Sequence, residues 1–374
     1  MATFMPLLFA TLAANVHGSS TILLLRHCPR TPYFSDLHPP LPPNNFTSAD
    51  DFSARPFPSR SEWGVPEGHC TDAGLKAAGE LGSSLRTMGL GDEEHVRVIA
   101  DNVSRCVATA AALRLNLSEI EVDMDLFDPL RAKLAGCEQP DWNRTVWKQV
   151  QAMHPELKEA RSKLPALQEV LGMGQAPALE LISDTTDPRG FLVGGLRVAS
   201  EVVVENFDLE RASSMEMAWG RLTEEAFLDF MDIKSSYFKT MYGGMEIAQR
   251  YASGLMALIL EQFSNPRLEL TVLAGHDLNV MALGSLLGLE WECGPYPRGS
   301  TTPLSGFLFN LQDGRVFAKS VCHTFGNGQA PLAFGSARFP EGSSLDASDF
   351  TSRMRTAILP GCVKPVLEEE STYT

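Results

Sequence analysis

The chain of 374 residues carries a formal net charge of −15 and has a pI near 5.0. This length exceeds what a single hydrophobic core usually holds, so we expect two lobes. The acidic balance argues against nucleic-acid binding, which needs a basic surface, and beyond the N-terminus no apolar run reaches the length of a membrane-spanning helix.

Residues 1–18 predict a signal peptide. Their apolar centre spans residues 5–14 and small residues precede Ser19, although the basic start typical of such peptides is missing. The alternative is a buried first strand or helix. Export also fits four N-glycosylation sequons, at Asn45, Asn102, Asn116 and Asn143. We therefore expect a secreted, periplasmic or lysosome-like location.

Seven cysteines support the same interpretation. In an exported protein they allow three disulfides and one free thiol, whereas in the cytosol they would be small buried hydrophobic residues. No CxxC pair or His/Cys ligand spacing occurs, so we expect no structural metal site.

The first strand pattern is an apolar run at residues 21–25, typical of a strand that is buried on both faces. It leads directly into Arg26 and His27. The proline-rich residues 29–66 contain too many prolines for a helix and predict a long loop.

The next segments alternate between helix and strand. A helix is predicted from its capping residue Thr71 to about Arg86. Residues 96–101 form the second predicted strand, and Ser104 is the predicted N-cap of the alanine-rich helix that follows it. Residues 121–127 are interpreted as a further strand.

Residues 128–239 differ from the flanking sequence, because aromatic and methionine residues recur there at spacings of three and four. This periodicity predicts a mainly helical insertion. Residues 268–274 then restore the buried-strand pattern, and a helical segment follows them. Residues 306–311 and 315–321 predict a hairpin.

Strands that alternate with helices on both sides of the insertion predict an α/β fold with a mostly parallel sheet flanked by helices. The predicted organisation is a signal peptide at residues 1–18, an α/β core formed by residues 19–127 and 240–374, and a helical cap domain at residues 128–239.

Charged residues follow three of the predicted strands. They are Arg26, His27 and Arg30 after the first, Arg105 after the second, and His276 with Asp277 after a later one. Because the carboxyl ends of strands line the ligand crevice of an open α/β sheet, we expect these side chains to meet there. Guanidinium groups donate paired hydrogen bonds to phosphate, and Arg105 opens a helix whose free N–H groups also attract an anion.

A histidine surrounded by arginines is suited to attack phosphorus. Positive neighbours disfavour protonation of His27, and neutral imidazole keeps the lone pair that a nucleophile needs. The arginines and His276 would then balance charge on the phosphoryl oxygens of a phosphohistidine intermediate. Asp277 is the nearest candidate acid for the leaving alkoxide, a role that needs an acidic medium or a raised pKa because aspartate ordinarily has a pKa of about 3.9.

Single dipeptides such as Arg-His or His-Asp are weak signals, because a histidine at a strand end is more often structural than nucleophilic. The longer pattern RHxxRxP at residues 26–32 is more specific, with roughly one chance in a thousand of occurring in such a chain. Its position at the end of a strand strengthens the phosphate-site interpretation.

The segment RHCPRTP at residues 26–32 resembles the RHGxRxP signature of the histidine acid phosphatases, and GHDLNVMALGSLLGLEW at residues 275–291 resembles their HD block. Four further segments are similar to the bacterial periplasmic phytase and glucose-1-phosphatase branch. They are WGVPEGHCTDAGLKAAGELG (63–82), IADNVSRCVATA (99–110), AWGRLTEEAF (218–227) and TTPLSGFLFNL (301–311). The similarity extends over nearly the whole mature chain.

This resemblance implies a metal-independent acid phosphatase that hydrolyses phosphate monoesters through a phosphohistidine and needs no cofactor. It implies that His27 is the nucleophile and Asp277 the proton donor, with Asp101 at an acidic position near the pocket. The implied phosphate ligands are Arg26, Arg30, Arg105 and His276. The resemblance also implies a disulfide between Cys137 and Cys362. The expected partner is a small phosphomonoester, and the oligomeric state stays open.

Two positions depart from the family pattern. Cys28 replaces the glycine after the nucleophile, which either reduces activity or leaves the side chain in the core. Tyr33 and Phe34 replace a Thr-Lys pair of bacterial phytases, so a cation suited to a second phosphate is missing and Tyr33 becomes a candidate substrate-pocket residue.

Three alternatives to an acid phosphatase stay open. The nearest is a phytase. A non-catalytic phosphate-binding homologue is favoured only by Cys28, and the presence of Asp277 argues against it. A cytosolic transferase of the phosphoglycerate mutase type shares the nucleophile but fits poorly with an export segment and a long helical insertion.

Overall fold

The computed structural model describes residues 20–33, 49–90, 96–115, 119–172, 195–264, 269–325 and 332–364. Within these ranges one sheet contains the strands β1 (Ser20–Arg26), β2 (Val96–Ala100), β3 (Glu121–Val122), β4 (Leu270–Gly275), β5 (Glu290–Trp291), β6 (Gly306–Gln312), β7 (Arg315–His323), β8 (Leu332–Arg338) and β9 (Ser344–Asp346).

The helices before the middle of the chain are α1 (Arg60–Trp63), α2 (Asp72–Thr87), α3 (Ser104–Leu113), α4 (Met124–Phe127), α5 (Pro129–Ala132), α6 (Trp142–Ala152), α7 (His154–Ser162) and α8 (Leu164–Leu171). The later ones are α9 (Glu205–Ala212), α10 (Glu224–Tyr242), α11 (Met245–Ser264), α12 (Asp277–Leu286) and α13 (Ala347–Ala357). A short helix, Gly195–Arg197, and a π-helical segment, Val198–Val204, run directly into α9. Short 3-10 helices span Ala49–Phe52, Met217–Gly220 and Pro360–Cys362.

The sheet is mixed, with strand order β3-β2-β4-β1-β6-β7-β8-β5 and β9 paired to β7. The pairs β1/β4, β2/β4 and β2/β3 are parallel, whereas β6, β7 and β8 pair antiparallel. The predicted α/β fold is confirmed, and its parallel part is the half that carries β1, β2 and β4. The other half is antiparallel because β6 and β7 form the predicted hairpin, whose turn residues Asp313 and Gly314 both have positive φ.

The central strands β1 and β4 are mainly apolar and buried on both faces, as the apolar runs in the sequence predict. Alternate residues of β1 enter different cores: Ile22 and Leu24 pack towards the helical insertion, while Leu23 and Leu25 pack with α2 and α3. Register pairs Arg26 with Gly275. The ends of β1 and β4 therefore lie side by side.

Local capping confirms one predicted helix start and corrects two other predictions. The Thr71 hydroxyl accepts a hydrogen bond from the Gly74 N–H, as expected for the N-cap of α2. The predicted N-cap Ser104 is wrong by one residue, because Val103 is the extended residue and Ser104 is already helical. The predicted strand at 121–127 is also too long. Only Glu121–Val122 pairs with β2, since the Asp123 carboxylate accepts from the Leu126 N–H and starts α4.

Between β3 and β4 the described residues form helices and turns, from α4 to α11. Their apolar side chains, including Leu157, Leu167 and Phe207, join one face of the sheet in a single core cluster. The boundaries of a separate cap domain at 128–239 stay a prediction. No helix in the described part of the chain is long and apolar enough to span a membrane.

Three disulfides link Cys28 to Cys70, Cys137 to Cys362 and Cys293 to Cys322, and Cys106 is a buried free thiol. This confirms both the predicted number of disulfides and the Cys137–Cys362 pairing implied by the resemblance. The sequons at Asn102 and Asn143 lie at exposed positions. The predicted signal peptide, Phe34, Asn45 and Asn116 lie outside the described residues.

Candidate active site

The candidate site lies where three parallel strands end. His27 follows β1, Asp101 follows β2 and His276 follows β4. The backbone continues the strand ladder into the site: the His27 N–H donates to the Gly275 carbonyl at 2.9 Å, and the Asp101 N–H donates to the Ala274 carbonyl at 3.1 Å. The His27 and His276 rings are buried and meet edge to face, with centroids 5.5 Å apart. The sequence prediction that these strand ends converge is confirmed.

Three arginines surround the two histidines. Arg26 is fully buried and donates to Glu205 Oε1 at 2.5 Å and to the Thr301 carbonyl at 2.7 Å. Arg30 donates to the same Glu205 oxygen at 3.3 Å. Arg105, in the first turn of α3, lies with Nη2 at 3.4 Å from His276 Nδ1. The guanidinium groups are thus held in place by neighbouring side chains.

All three arginines keep one donor unused. The Nε atoms of Arg26, Arg30 and Arg105 are buried and have no hydrogen-bond partner among the described residues. A buried N–H without an acceptor loses its hydration without compensation. An oxyanion with several acceptor oxygens would satisfy such donors, and guanidinium donors suit phosphate because their bonds are charge-assisted.

His27 is held in one tautomer by the backbone of the next residue. Its Nδ1 lies 2.8 Å from the Cys28 carbonyl oxygen, which can only accept, so Nδ1 carries the proton and Nε2 keeps a lone pair. Burial and the positive charges of Arg105 and Arg26 lower the pKa of His27 well below its ordinary value. The imidazole is therefore neutral, as a nucleophile requires.

His276 is oriented by Asp101. The His276 Nε2 lies 2.6 Å from Asp101 Oδ2, and Nδ1 faces Arg105. Burial opposes ionisation of Asp101, but the hydrogen bond and charge of His276 outweigh it and lower the pKa of the carboxyl. Asp101 therefore stays ionised and fixes the ring, which leaves the Nδ1 edge of His276 turned towards Arg105.

Asp277 lies at the start of α12, beside His276. Its Oδ1 accepts from the Leu278 N–H at 2.9 Å, and its Oδ2 lies 3.3 Å from Arg26 Nη2. The Asp277 side chain is 17 % exposed, whereas that of Arg26 is completely buried. The Asp277 carboxyl therefore lies at the helix N-terminus and is partly accessible to solvent.

Tyr33 stands next to two of the arginines. Its ring centroid lies 4.8 Å from the Arg30 guanidinium carbon, and its hydroxyl accepts from Arg105 Nη1 at 2.8 Å. Gly68 has a positive φ of +71°, and a Cβ at this position would lie 3.0 Å from the Tyr33 ring. The aromatic ring is thus held between backbone and arginines while 41 % of the residue is exposed.

A buried charge cluster behind Arg26 escaped the sequence analysis. Lys234 donates to Glu205 Oε2 at 2.5 Å and to Asp208 Oδ2 at 2.8 Å, and Glu205 in turn contacts Arg26 and Arg30. Burial opposes ionisation of Glu205, but Arg26, Lys234 and Arg30 lower its pKa strongly. These residues lie in the insertion, where no motif surrounds them. The one sequence signal is that Glu205 and Asp208 lie three residues apart in one helix, directly after three valines.

The helix that carries Glu205 enters the site from a π-helical segment, Val198–Val204. π-helical turns are rare and are frequent at functional sites. Glu205 and Asp208 follow this segment directly, and both are buried although they are charged.

Cys28 matches one of its two expectations in part. Its side chain is completely buried in the core, as one alternative held, but it is bonded to Cys70 rather than free. The residue after His27 therefore forms a covalent link between two loops.

Among the residues that the structure describes, Asp101, Cys106 and His276 form a group that could hold a metal ion, with ligand atoms within 4.8 Å of one another. The short Asp101–His276 hydrogen bond already accounts for two of them. Burial raises the pKa of the Cys106 thiol to about 12, so the thiol is protonated at neutral pH. This group fits a hydrogen-bonded cluster better than a metal site.

Comparison of the sequence with protein-family models and with curated proteins gives no match. Solved structures do match. The phytase from Citrobacter braakii superposes with a TM-score of 0.74 and 19 % identity, covering 92 % of this chain and 99 % of the phytase. The Hafnia alvei phytase in complex with myo-inositol hexakis sulphate matches with a TM-score of 0.71 and 20 % identity, covering 93 % and 99 %.

A third match, the phytase from Klebsiella sp. ASR1, has a TM-score of 0.70 and 16 % identity over 93 % of this chain and 98 % of that one. Each superposition extends over nearly the full length of both proteins, so it includes the helical insertion as well as the sheet. The chain has the fold of the bacterial phytases of the histidine acid phosphatase type.

Proposed function

We propose that the chain is a phosphoric monoester hydrolase, an acid phosphatase that works through a phosphohistidine on His27. The observation that carries the proposal is a neutral imidazole, with its Nε2 lone pair free, among three arginines whose buried Nε–H groups have no acceptor in the described part of the chain. A phosphate group supplies acceptor oxygens for the unpaired Nε–H groups of the arginines and a phosphorus atom that the imidazole can attack.

In the first step the Nε2 lone pair attacks phosphorus, the N–P bond forms and the bond to the leaving oxygen breaks. Asp277 gives its proton to that oxygen, and the alcohol departs. Arg26, Arg30 and Arg105 balance the charge on the phosphoryl oxygens, and the buried His276 ring lies beside Arg105 in the same site.

In the second step water attacks the phosphohistidine. The Asp277 carboxylate accepts the proton of the water, the N–P bond breaks, and inorganic phosphate leaves with neutral His27 restored. Asp101 keeps His276 in one orientation during both steps, because their hydrogen bond is buried. The chain's own residues thus complete the cycle.

The proposed substrates are simple phosphate monoesters. Beside the arginines this chain presents the half-exposed ring of Tyr33, which offers an apolar surface to a leaving group rather than a charge to a second phosphate. The three disulfides fit folding in an oxidising compartment, in agreement with a secreted or periplasmic location.

A phytase is the second candidate, and one residue of this chain favours it. Arg131 is half-exposed, donates to Asn102 Oδ1 and lies 3.9 Å from Asp101 Oδ1. The Arg131 guanidinium lies next to Asp101 at the edge of the site, and a cation there is suited to bind a second phosphate of an inositol polyphosphate. The Hafnia alvei phytase, which has the same fold, is described in complex with myo-inositol hexakis sulphate.

Hydrolysis of p-nitrophenyl phosphate, glucose 1-phosphate and phytate between pH 3 and 8, with EDTA present, tests the proposal. We expect metal-independent hydrolysis with an acidic optimum and higher kcat/KM for the two monophosphates. A higher kcat/KM for phytate would select the second candidate. Absence of turnover on all three substrates would reject the enzyme assignment.

A further inference from the structure

We propose that the Cys28–Cys70 disulfide is a positioning element for the reaction. It holds the loop that carries the nucleophile against the helix that carries Arg105, so that phosphate binding and turnover depend on this disulfide and not on the other two. The inference rests on the proposed function, since it assigns a role within the same site.

The backbone of Cys28 controls His27 directly. The Cys28 carbonyl accepts the Nδ1 proton of His27 at 2.8 Å, and this bond decides both the tautomer and the tilt of the ring. Rotation of the residue 28 peptide would remove the acceptor. The disulfide on the Cys28 side chain therefore also fixes the position of the His27 ring.

The partner cysteine lies in a segment that runs beside the nucleophile loop. Arg30 and Cys70 form an isolated antiparallel bridge, the Thr31 N–H donates to the His69 carbonyl at 2.9 Å, and the Thr71 N–H donates to the Pro29 carbonyl at 3.0 Å. The Gly68 N–H also donates to the Thr31 carbonyl at 3.1 Å, and these backbone bonds pair the loop with its neighbour outside the main sheet. The disulfide closes this short ladder at the end nearest His27.

The disulfide also packs on the first turn of α3. Cys70 Sγ lies 3.4 Å and Cys28 Sγ 3.9 Å from the carbonyl oxygen of Arg105; neither sulfur carries a proton, so these are packing contacts. A parallel non-covalent link exists, because the Cys28 N–H donates to Thr109 Oγ1 at 2.8 Å and that hydroxyl donates to the Arg105 carbonyl at 2.7 Å. The disulfide and the Thr109 hydroxyl both connect Cys28 with the Arg105 carbonyl, so the same contacts position His27 and Arg105 relative to each other.

The other disulfides provide a matched comparison. Cys293–Cys322 closes a sequence separation of 29 residues, against 42 for Cys28–Cys70. Cys293 and Cys322 belong to the core on the antiparallel side of the sheet. Removing that pair should loosen the fold to a similar degree without moving His27.

The test uses the folded full chain and compares Cys28→Ala/Cys70→Ala with Cys293→Ala/Cys322→Ala. We expect the first variant to lose at least about tenfold in kcat/KM and to bind inorganic phosphate more weakly as a competitive inhibitor, because small misplacements of catalytic groups are costly. The second variant should stay within about twofold of wild type. Thr109→Val should add to the loss in the first variant, since it removes the parallel link.

A pH profile separates positioning from general loosening. In the Cys28→Ala/Cys70→Ala variant the acid limb of kcat/KM should move to higher pH, because a ring released from the arginines and from burial protonates more easily. The Cys293→Ala/Cys322→Ala variant should keep the wild-type limb. The proposal would be overturned if the Cys28→Ala/Cys70→Ala variant kept the kcat/KM, the phosphate affinity and the acid limb of the wild type. Equal losses of kcat/KM in both double variants would also overturn it.

If the double variant does not fold, graded reduction of the wild type replaces it. Dithiothreitol gives two electrons and two protons to the S–S bond, which yields two thiols and oxidised dithiothreitol. Alkylation and mass spectrometry identify which disulfide has opened, and circular dichroism reports the fold. Turnover should fall in step with opening of Cys28–Cys70, and full turnover with that disulfide open in a folded chain would reject the proposal.

Failure of the proposed function has a different signature. A wild-type chain that hydrolyses no phosphomonoester rejects the enzyme assignment by itself. Binding of radiolabelled inorganic phosphate, measured by equilibrium dialysis, then still decides the positioning role. Weaker binding by the Cys28→Ala/Cys70→Ala variant than by wild type supports it, and equal binding contradicts it.

Discussion

Replacement of Lys234 by methionine probes the buried charges behind the phosphate site. The Lys234 side chain is 1 % exposed, and its ammonium group contacts one oxygen each of Glu205 and Asp208. Methionine keeps the apolar stem but leaves two buried carboxylates without their shared cation. Removing one partner of a buried ion pair usually costs about 3–5 kcal/mol, and we expect a loss of unfolding free energy in this range at pH 7.

The pH dependence of this loss follows from Glu205, whose pKa is lowered in the fold by Arg26, Lys234 and Arg30 against the effect of burial. A carboxyl with a lowered pKa contributes stability above its unfolded pKa, and this contribution is lost as the pH falls through its folded pKa. The variant relaxes that pKa towards the ordinary value. The difference between wild type and Lys234→Met should therefore be largest at neutral pH and shrink below about pH 4.5.

Urea unfolding followed by circular dichroism at pH 7 and pH 4 measures both effects. Lys364→Met is the control, because Lys364 pairs with Asp123 and Asp125 at the surface and is 56 % exposed. That substitution should change the unfolding free energy by less than about 1 kcal/mol. A Lys234→Met variant as stable as the control variant, or a loss that grows towards acid pH, would refute the reasoning.

Three further predictions concern the reaction itself. Asp277→Asn should reduce kcat for alkyl phosphates by about 10²–10⁴-fold and for p-nitrophenyl phosphate much less, since that leaving group needs little protonation; equal losses in steady-state assays would remove Asp277 as the acid. Because the pKa of His27 is lowered, wild-type kcat/KM should persist well below pH 6, and a pH profile with an acid limb near the ordinary histidine value would contradict this. Tyr33→Lys should raise the ratio of phytate to p-nitrophenyl phosphate turnover relative to wild type and to Tyr33→Phe, and an unchanged ratio would exclude Tyr33 from specificity.

The predictable part of the site consists of residues attached to strong local patterns. β1 and β4 are continuous apolar runs, and the change from apolar to charged residues at Arg26 and His276 marks where each strand ends. Parallel pairing then brings these ends together without further information. For this reason the residues predicted after these two strands lie close together, while their roles in a reaction stay a prediction.

The unpredicted part depends on contacts between distant residues. Glu205 and Arg26 are 179 positions apart, and no local pattern of the insertion points to Arg26. The Cys28–Cys70 pair was equally hidden, because seven cysteines allow many connectivities and spacing alone does not choose among them. The short edge strands β5 and β9 contain too few residues to show a period.

The central claim is that His27 forms the covalent intermediate, and rapid alkaline quench with a radiolabelled phosphomonoester tests it most directly. Phosphohistidine survives base and is lost in acid, so wild-type enzyme should carry a base-stable, acid-labile label at substoichiometric to stoichiometric levels during turnover. His27→Ala should carry none and should not turn over substrate. A labelled His27→Ala enzyme, or a wild-type enzyme that turns over substrate through a label stable to acid and lost in base, would contradict the account.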